Sequence, residues 1–105
     1  MDTPETADAL AARLAAMAST QRLRIVATLV EGPLHVSALA RRVEMSRALL
    51  YMHLRKLEEA GFVTSRLELG EDGKAMNVFS AEPFTVTITP AVVAAAIAAT
   101  DESEE

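Results

Sequence analysis

Apolar residues recur at three- and four-residue spacing over the first sixty positions and then alternate, so the order of elements can be read from periodicity. Ala7, Leu10, Ala11, Leu14, Met17 and Ala18 share one face of a first helix, and Thr3-Pro4-Glu5 supplies a cap and a proline for its opening turn. Ser19 is placed to cap a second helix with the stripe Leu23, Val26, Ala27 and Val30. Glu31-Gly32-Pro33 ends it, because Gly accepts the left-handed cap and Pro cannot continue the ladder. A short third helix is expected from His35 or Ser37 through Ala38, Leu39, Ala40 and Val43. A tight turn at Glu44 and Met45 then reaches Ser46, the cap of a fourth helix that runs to about Ala60, with Gly61 as its C-cap. Leu50, Leu54 and Leu57 give this helix an inward face. The same spacing throws Arg47, Ala48, Tyr51, Met52 and Arg55 to the outside.

Phe62 to Leu69 reads as a strand, Gly70 to Lys74 as a hairpin tip and Ala75 to Ala81 as the returning strand. Phe84-Thr85-Val86-Thr87-Ile88-Thr89 alternates apolar and polar residues, which predicts a half-buried strand kept near an edge by Pro83. Thr89 and Pro90 repeat the cap-plus-proline start, and a last helix follows through Val92, Val93, Ala96 and Ile97. The expected fold is mostly α with a small β-hairpin wing, arranged as a winged helix-turn-helix whose fourth helix is the recognition helix. It forms a single domain over residues 1–100, with residues 101–105 as an acidic tail. The last helix is apolar nearly all round and 105 residues offer it little cover. A homodimer is therefore expected through the first and last helices, with Leu10, Leu14, Met17, Val92, Val93, Ala96 and Ile97 at the interface.

Composition narrows the partners. The net charge of −5 conceals an asymmetry: Arg41, Arg42, Arg47, Arg55, Lys56 and Arg66 against Glu44, Glu58 and Glu59 make residues 32–66 net +3, whereas residues 67–105 are net −7. A basic middle is the mark of a surface that meets a polyanion. There is no cysteine, so disulfides, thiolate metal sites and a Cys nucleophile are excluded. The longest apolar run, Ala91 to Ala99, is nine residues, against the roughly 18 to 20 that a membrane span needs, and the N-terminus lacks the basic start of a signal peptide. A cytoplasmic protein with no membrane partner is expected. The two His, with Asp only at 2, 8, 72 and 101, offer no nucleophile–base pair, and no glycine-rich phosphate loop is present, so no enzyme is expected.

Three stretches carry a more specific signal: Ser19-Thr20-Gln21-Arg22-Leu23-Arg24-Ile25-Val26, Val36-Ser37-Ala38-Leu39-Ala40-Arg41-Arg42-Val43, and Met45 through the recognition helix to Leu57-Glu58-Glu59-Ala60-Gly61-Phe62-Val63. Over about residues 10 to 80 the chain resembles the ArsR-type family of winged-helix transcriptional regulators. The resemblance implies a dimeric, cytoplasmic, operator-binding regulator, usually a repressor. It also implies a check for the family's metal sites. The segment Leu34 to Leu39 has no cysteine, and Pro90 to Thr100 has no Asp, His or Glu, so neither a metal nor another cofactor is expected.

The residues themselves point to double-stranded DNA. Arg47 in the first turn of the recognition helix is suited to guanine O6 and N7, with Ala48, Tyr51, Met52 and Arg55 beside it for bases or phosphates. Ser46 and the free amides of the helix N-terminus favour a phosphate, and Arg41 and Arg42 stand just before them. Arg66 and Lys74 on the wing are candidates for flanking contacts, although Glu71 and Asp72 make its tip acidic. In an alternative reading, Leu49, Tyr51 and Met52 form an apolar patch that docks a partner protein. DNA affinity tuned by a small molecule or a protein effector remains open.

Overall fold

The structure, a computed structural model, describes residues 4–103. Helix α1 (Ala7–Met17) is capped by Thr6, whose hydroxyl accepts from the Ala9 amide. The helix thus starts one turn later than the Thr3-Pro4-Glu5 signal suggested. Thr3 lies outside the described residues, and Thr6 has the extended backbone a cap requires. Helix α2 (Thr20–Leu29) is capped by Ser19 as expected. Its inward face, however, is Ile25, Val26 and Leu29, and the predicted stripe members Leu23, Ala27 and Val30 are exposed. Apolar residues surround this helix, so periodicity allowed two phases, and the core takes the bulkier Ile25–Leu29 pair.

A strand absent from the sequence reading, β1 (Leu34–His35), precedes helix α3 (Val36–Val43). His35 is the α3 cap, its Nδ1 accepting from the Ala38 amide. Glu44 turns the chain in the left-handed region at φ 54°, and Ser46 caps helix α4 (Arg47–Glu59) by accepting from the Leu49 amide. Gly61 follows at φ 82°, a C-cap conformation that costs glycine nothing. Strands β2 (Val63–Leu69) and β3 (Ala75–Ala81) form the antiparallel wing, with Ser65 opposite Phe79 and Leu69 opposite Ala75. β1 adds to the other side of β3, giving the order β1-β3-β2.

One core joins these elements: Ile25 and Leu29 from α2, Leu39 and Val43 from α3, Leu50, Leu54 and Leu57 from α4, with Phe62, Val63 and Phe79. The expected strand over 84–89 does not form. The alternation still sets its sidedness, since Phe84 packs on Phe62 with ring centroids 4.5 Å apart and Val86 reaches the core. Alternation cannot supply a pairing partner, and the segment joins no strand of the sheet. Helix α5 (Pro90–Ser103) then runs along α1 and takes Asp101, Glu102 and Ser103 of the expected tail into its last turn. Thr100 ties the two helices together by accepting from the Ala7 amide at 2.7 Å.

Candidate nucleic-acid interface

Helix α4 is held by three leucines that are essentially inaccessible: Leu50 0%, Leu54 1% and Leu57 0%. Burying them fixes the rotation of the helix, and with it the direction of everything on the other side. Arg47, Ala48, Tyr51, Met52 and Arg55 all point to solvent, so the predicted outward face exists as one surface. Tyr51 is steadied by an edge contact with Phe79 of the wing, at 6.4 Å between centroids. Beside it a hollow of about 370 Å³, lined by Tyr51, Arg55, Glu58, Glu59, Ser65, Asn77 and Phe79, separates α4 from the wing, and Ser65 Oγ donates to the Glu58 carboxylate there. Ser65 and Asn77 are polar groups on this surface that sequence reasoning missed. Their only signal was strand alternation, which places them with Phe79 on the face toward α4.

Around the helix start, Ser46 is exposed, with its hydroxyl engaged in the cap. The first α4 amides remain for an external acceptor. Arg47 donates from its guanidinium to Ser37 Oγ on α3, a contact that no spacing rule announced. Arg41 is exposed, whereas Arg42 is paired with Glu31 at 2.8 Å. The wing cations are set apart from this group. Arg66 points to the hairpin face opposite Ser65 and is held by Glu68 at 2.9 Å and by Ser80. Lys74 is exposed at the tip, with Glu71 and Asp72 next to it, and the Asp72 carboxylate accepts from the Lys74 amide.

A buried polar link stands behind the interface. His53 is 7% exposed on the inward side of α4, where it receives a hydrogen bond from Arg22 at Nδ1 and lies 3.0 Å from Gln21 Oε1 through Nε2. Arg22 also donates to the Ala16 and Ala15 carbonyls at the end of α1. Burial, then the positive charges of Arg22 and Lys56, hold the His53 imidazole below its ordinary pKa, so it is a neutral structural group. Its position on the Leu50–Leu54–Leu57 stripe was the signal that a polar partner had to exist. His35, the other imidazole, is spent on the α3 cap, and among the described residues no three His, Asp or Glu side chains gather as a metal-binding set. Nor is any described helix long and apolar enough to cross a membrane.

Comparison with known proteins agrees with this geometry. Residues 19–65 match the model of bacterial regulatory proteins of the arsR family. The chain is 35% identical over 78 residues to the HTH-type transcriptional regulator MJ0229 of Methanocaldococcus jannaschii, covering 74% of this chain and 81% of that protein. It is 40% identical over 62 residues to the nodulation protein NolR of Rhizobium meliloti, covering 59% of this chain and 51% of NolR. Among solved structures, NolR from Sinorhizobium fredii superposes with a TM-score of 0.63 at 28% identity, covering 91% of this chain and 85% of that one. Reduced HlyU from Vibrio cholerae gives 0.60 at 28% identity, covering 83% and 80%. The outward recognition helix, the wing and these matches together place the chain in the ArsR family of winged helix-turn-helix transcriptional regulators, DNA-binding proteins and not enzymes.

Proposed function

We propose that this regulator is a cytoplasmic homodimer that represses by laying two copies of α4 in successive major grooves of a pseudo-palindromic operator, without a bound metal. The observation that carries the reading is the single exposed face of Arg47, Ala48, Tyr51, Met52 and Arg55, its orientation locked by Leu50, Leu54 and Leu57. Arg47 reads a base. Arg55, Arg41, Ser46 and the α4 amides take phosphates, and Tyr51 and Met52 meet base edges or thymine methyls. Arg42, Arg66 and Lys74 contribute less, because the first two are already paired and the third sits among acids.

Shape supports the dimer. The radius of gyration is 16.6 Å, whereas a compact domain of this length has about 13 Å. The excess comes with apolar side chains in the open: Leu14 is 37%, Val93 44% and Ile97 49% exposed. Leu10 and Ala96 are buried within one subunit, where α1 meets α5, and Met17 and Val92 are half-buried. The contact between subunits therefore centres on Leu14, Val93 and Ile97.

Fluorescence anisotropy on the DNA upstream of the chain's own gene, against a scrambled duplex and without added metal, tests the reading. Selective binding that weakens on the order of 10³-fold between 50 and 200 mM salt is expected. Binding that ignores both sequence and salt would transfer the α4 face to the docking of a partner protein through Leu49, Tyr51 and Met52.

A further inference from the structure

A second cleft, of about 520 Å³, opens between α1 and the C-terminal end of α4. Its floor is made of Ala9, Ala12 and Ala16 on α1 and Ala60 after α4, and Arg22 and Lys56 stand over it. Residues 9, 12 and 16 share a helix face that differs from the face of Leu14 and Met17, so the proposed dimer contact leaves the cleft open.

The charges in the cleft are unequal in availability. Arg13 is occupied by Glu5 at 2.7 Å. Lys56 is exposed and makes no ion pair among the described residues. Arg22 spends three donors, on Ala15, Ala16 and His53, so two of the five guanidinium N–H groups are left. Arg22 and Lys56 both line this one cleft, so their two positive charges face a common space. An alanine-rich lining with two incompletely used cations complements a molecule with one apolar end and one anionic end, while Glu5 and Glu59 in the same lining disfavour a polyanion.

We propose that this cleft is an effector site for a small amphipathic carboxylate, its apolar body lying on the alanine floor and its carboxylate taken by Lys56 and the free N–H groups of Arg22. The same guanidinium grips the end of α1 and the middle of α4. An occupant that draws on Arg22 therefore shifts the balance of bonds that seats the recognition helix. That regulatory consequence rests on the DNA-binding reading above; binding itself does not.

Octanoate is the probe, titrated calorimetrically into the full chain without DNA, with octan-1-ol and octylamine as controls of equal length. Saturable binding at one molecule per chain is expected for octanoate alone. Lys56→Gln should weaken it at least about tenfold, the loss of one charge-assisted hydrogen bond. Ala12→Leu, which fills the floor from an exposed position, should block it, with the thermal melts of both variants matching the parent. NMR titration of His53 should move upward in pH when octanoate is bound, because an anion then faces Arg22 and Lys56. No saturable heat, equal binding of octan-1-ol, or an affinity unchanged in Lys56→Gln overturns the proposal. Since no DNA is present, that failure leaves operator binding untouched, and a failure of operator binding leaves the cleft untouched.

Discussion

His53 Nδ1, halfway along the recognition helix, lies 3.0 Å from the guanidinium of Arg22 on α2, and this bond fixes both the tautomer and the seat of α4. A guanidinium can only donate, so Nδ1 must carry the lone pair and Nε2 the proton, which goes to Gln21 Oε1 at 3.0 Å. Because Arg22 also closes the last turn of α1, one side chain joins three helices. Arg22→Ala should lower stability by about 2 kcal/mol, since it takes the donor from a buried imidazole nitrogen and from the part-buried Ala16 carbonyl. Arg22→Lys should recover only part of this, a point charge being unable to fork to three acceptors. The midpoint of urea denaturation at constant m checks both values.

The same imidazole makes stability depend on pH. Its folded pKa lies below the ordinary 6.5, for reasons of burial first and the charges of Arg22 and Lys56 second. The unfolded chain therefore binds the proton more readily, and stability rises with pH across the interval between the two values. The contribution is complete above the unfolded value and is lost as pH falls below 6.5 toward the folded one. Urea midpoints measured from neutral to mildly acid pH should fall in the parent. In His53→Gln the slope over this interval should flatten; an identical slope would assign the effect to other groups.

At the interface, Ser37 Oγ accepts from the Arg47 guanidinium and so keeps a long side chain ready over the start of α4. Arg47→Ala should cost ~1 to 3 kcal/mol at a cognate guanine and almost nothing on non-specific DNA. Ser37→Ala should cost less and act in the same direction, because the arginine is present but no longer held. Anisotropy on operator and scrambled duplexes separates the cases, and equal losses on both for Arg47→Ala would show a phosphate contact.

Much of this was legible in the chain itself. The Leu50–Leu54–Leu57 period fixed which side of α4 is free, and Ser19, Ser46, Gly61 and Thr89-Pro90 marked helix ends where they occur. What escaped depended on contacts distant in sequence. The phase of α2 was set by which of two apolar stripes the core could use. β1 is two residues long and exists through Phe79 and Val78 on a strand more than forty positions away. The segment 84–89 had the pattern of a strand but pairs with neither edge of the sheet. The Arg22–His53 and Arg47–Ser37 bonds are likewise pairings that one-dimensional spacing cannot announce.

The terminal helices offer a test of assembly that leaves the fold alone. Ile97 is 49% exposed on α5 and lies outside the core cluster. Ile97→Glu should leave the thermal melt of the monomer nearly intact and move the sedimenting species from dimer to monomer, since a dimer places like charges against each other in an apolar seam. Operator affinity should fall with it, because each monomer keeps one half-site only. Unchanged sedimentation would exclude this face as the interface.

The wing allows a prediction of opposite sign, in which a substitution improves binding. Lys74 is the only cation at the tip, flanked by Glu71 and Asp72, and Asp72 is occupied in the turn by the Lys74 amide. Glu71 has no such task in the turn and faces solvent. Glu71→Lys should therefore tighten operator and scrambled DNA by a similar factor, because a phosphate contact carries no sequence information. The slope of log affinity against log salt should steepen by about 0.9, the signature of one added phosphate contact. An unchanged slope would show that the wing stays clear of the duplex, leaving α4 and the cations before it to hold the DNA.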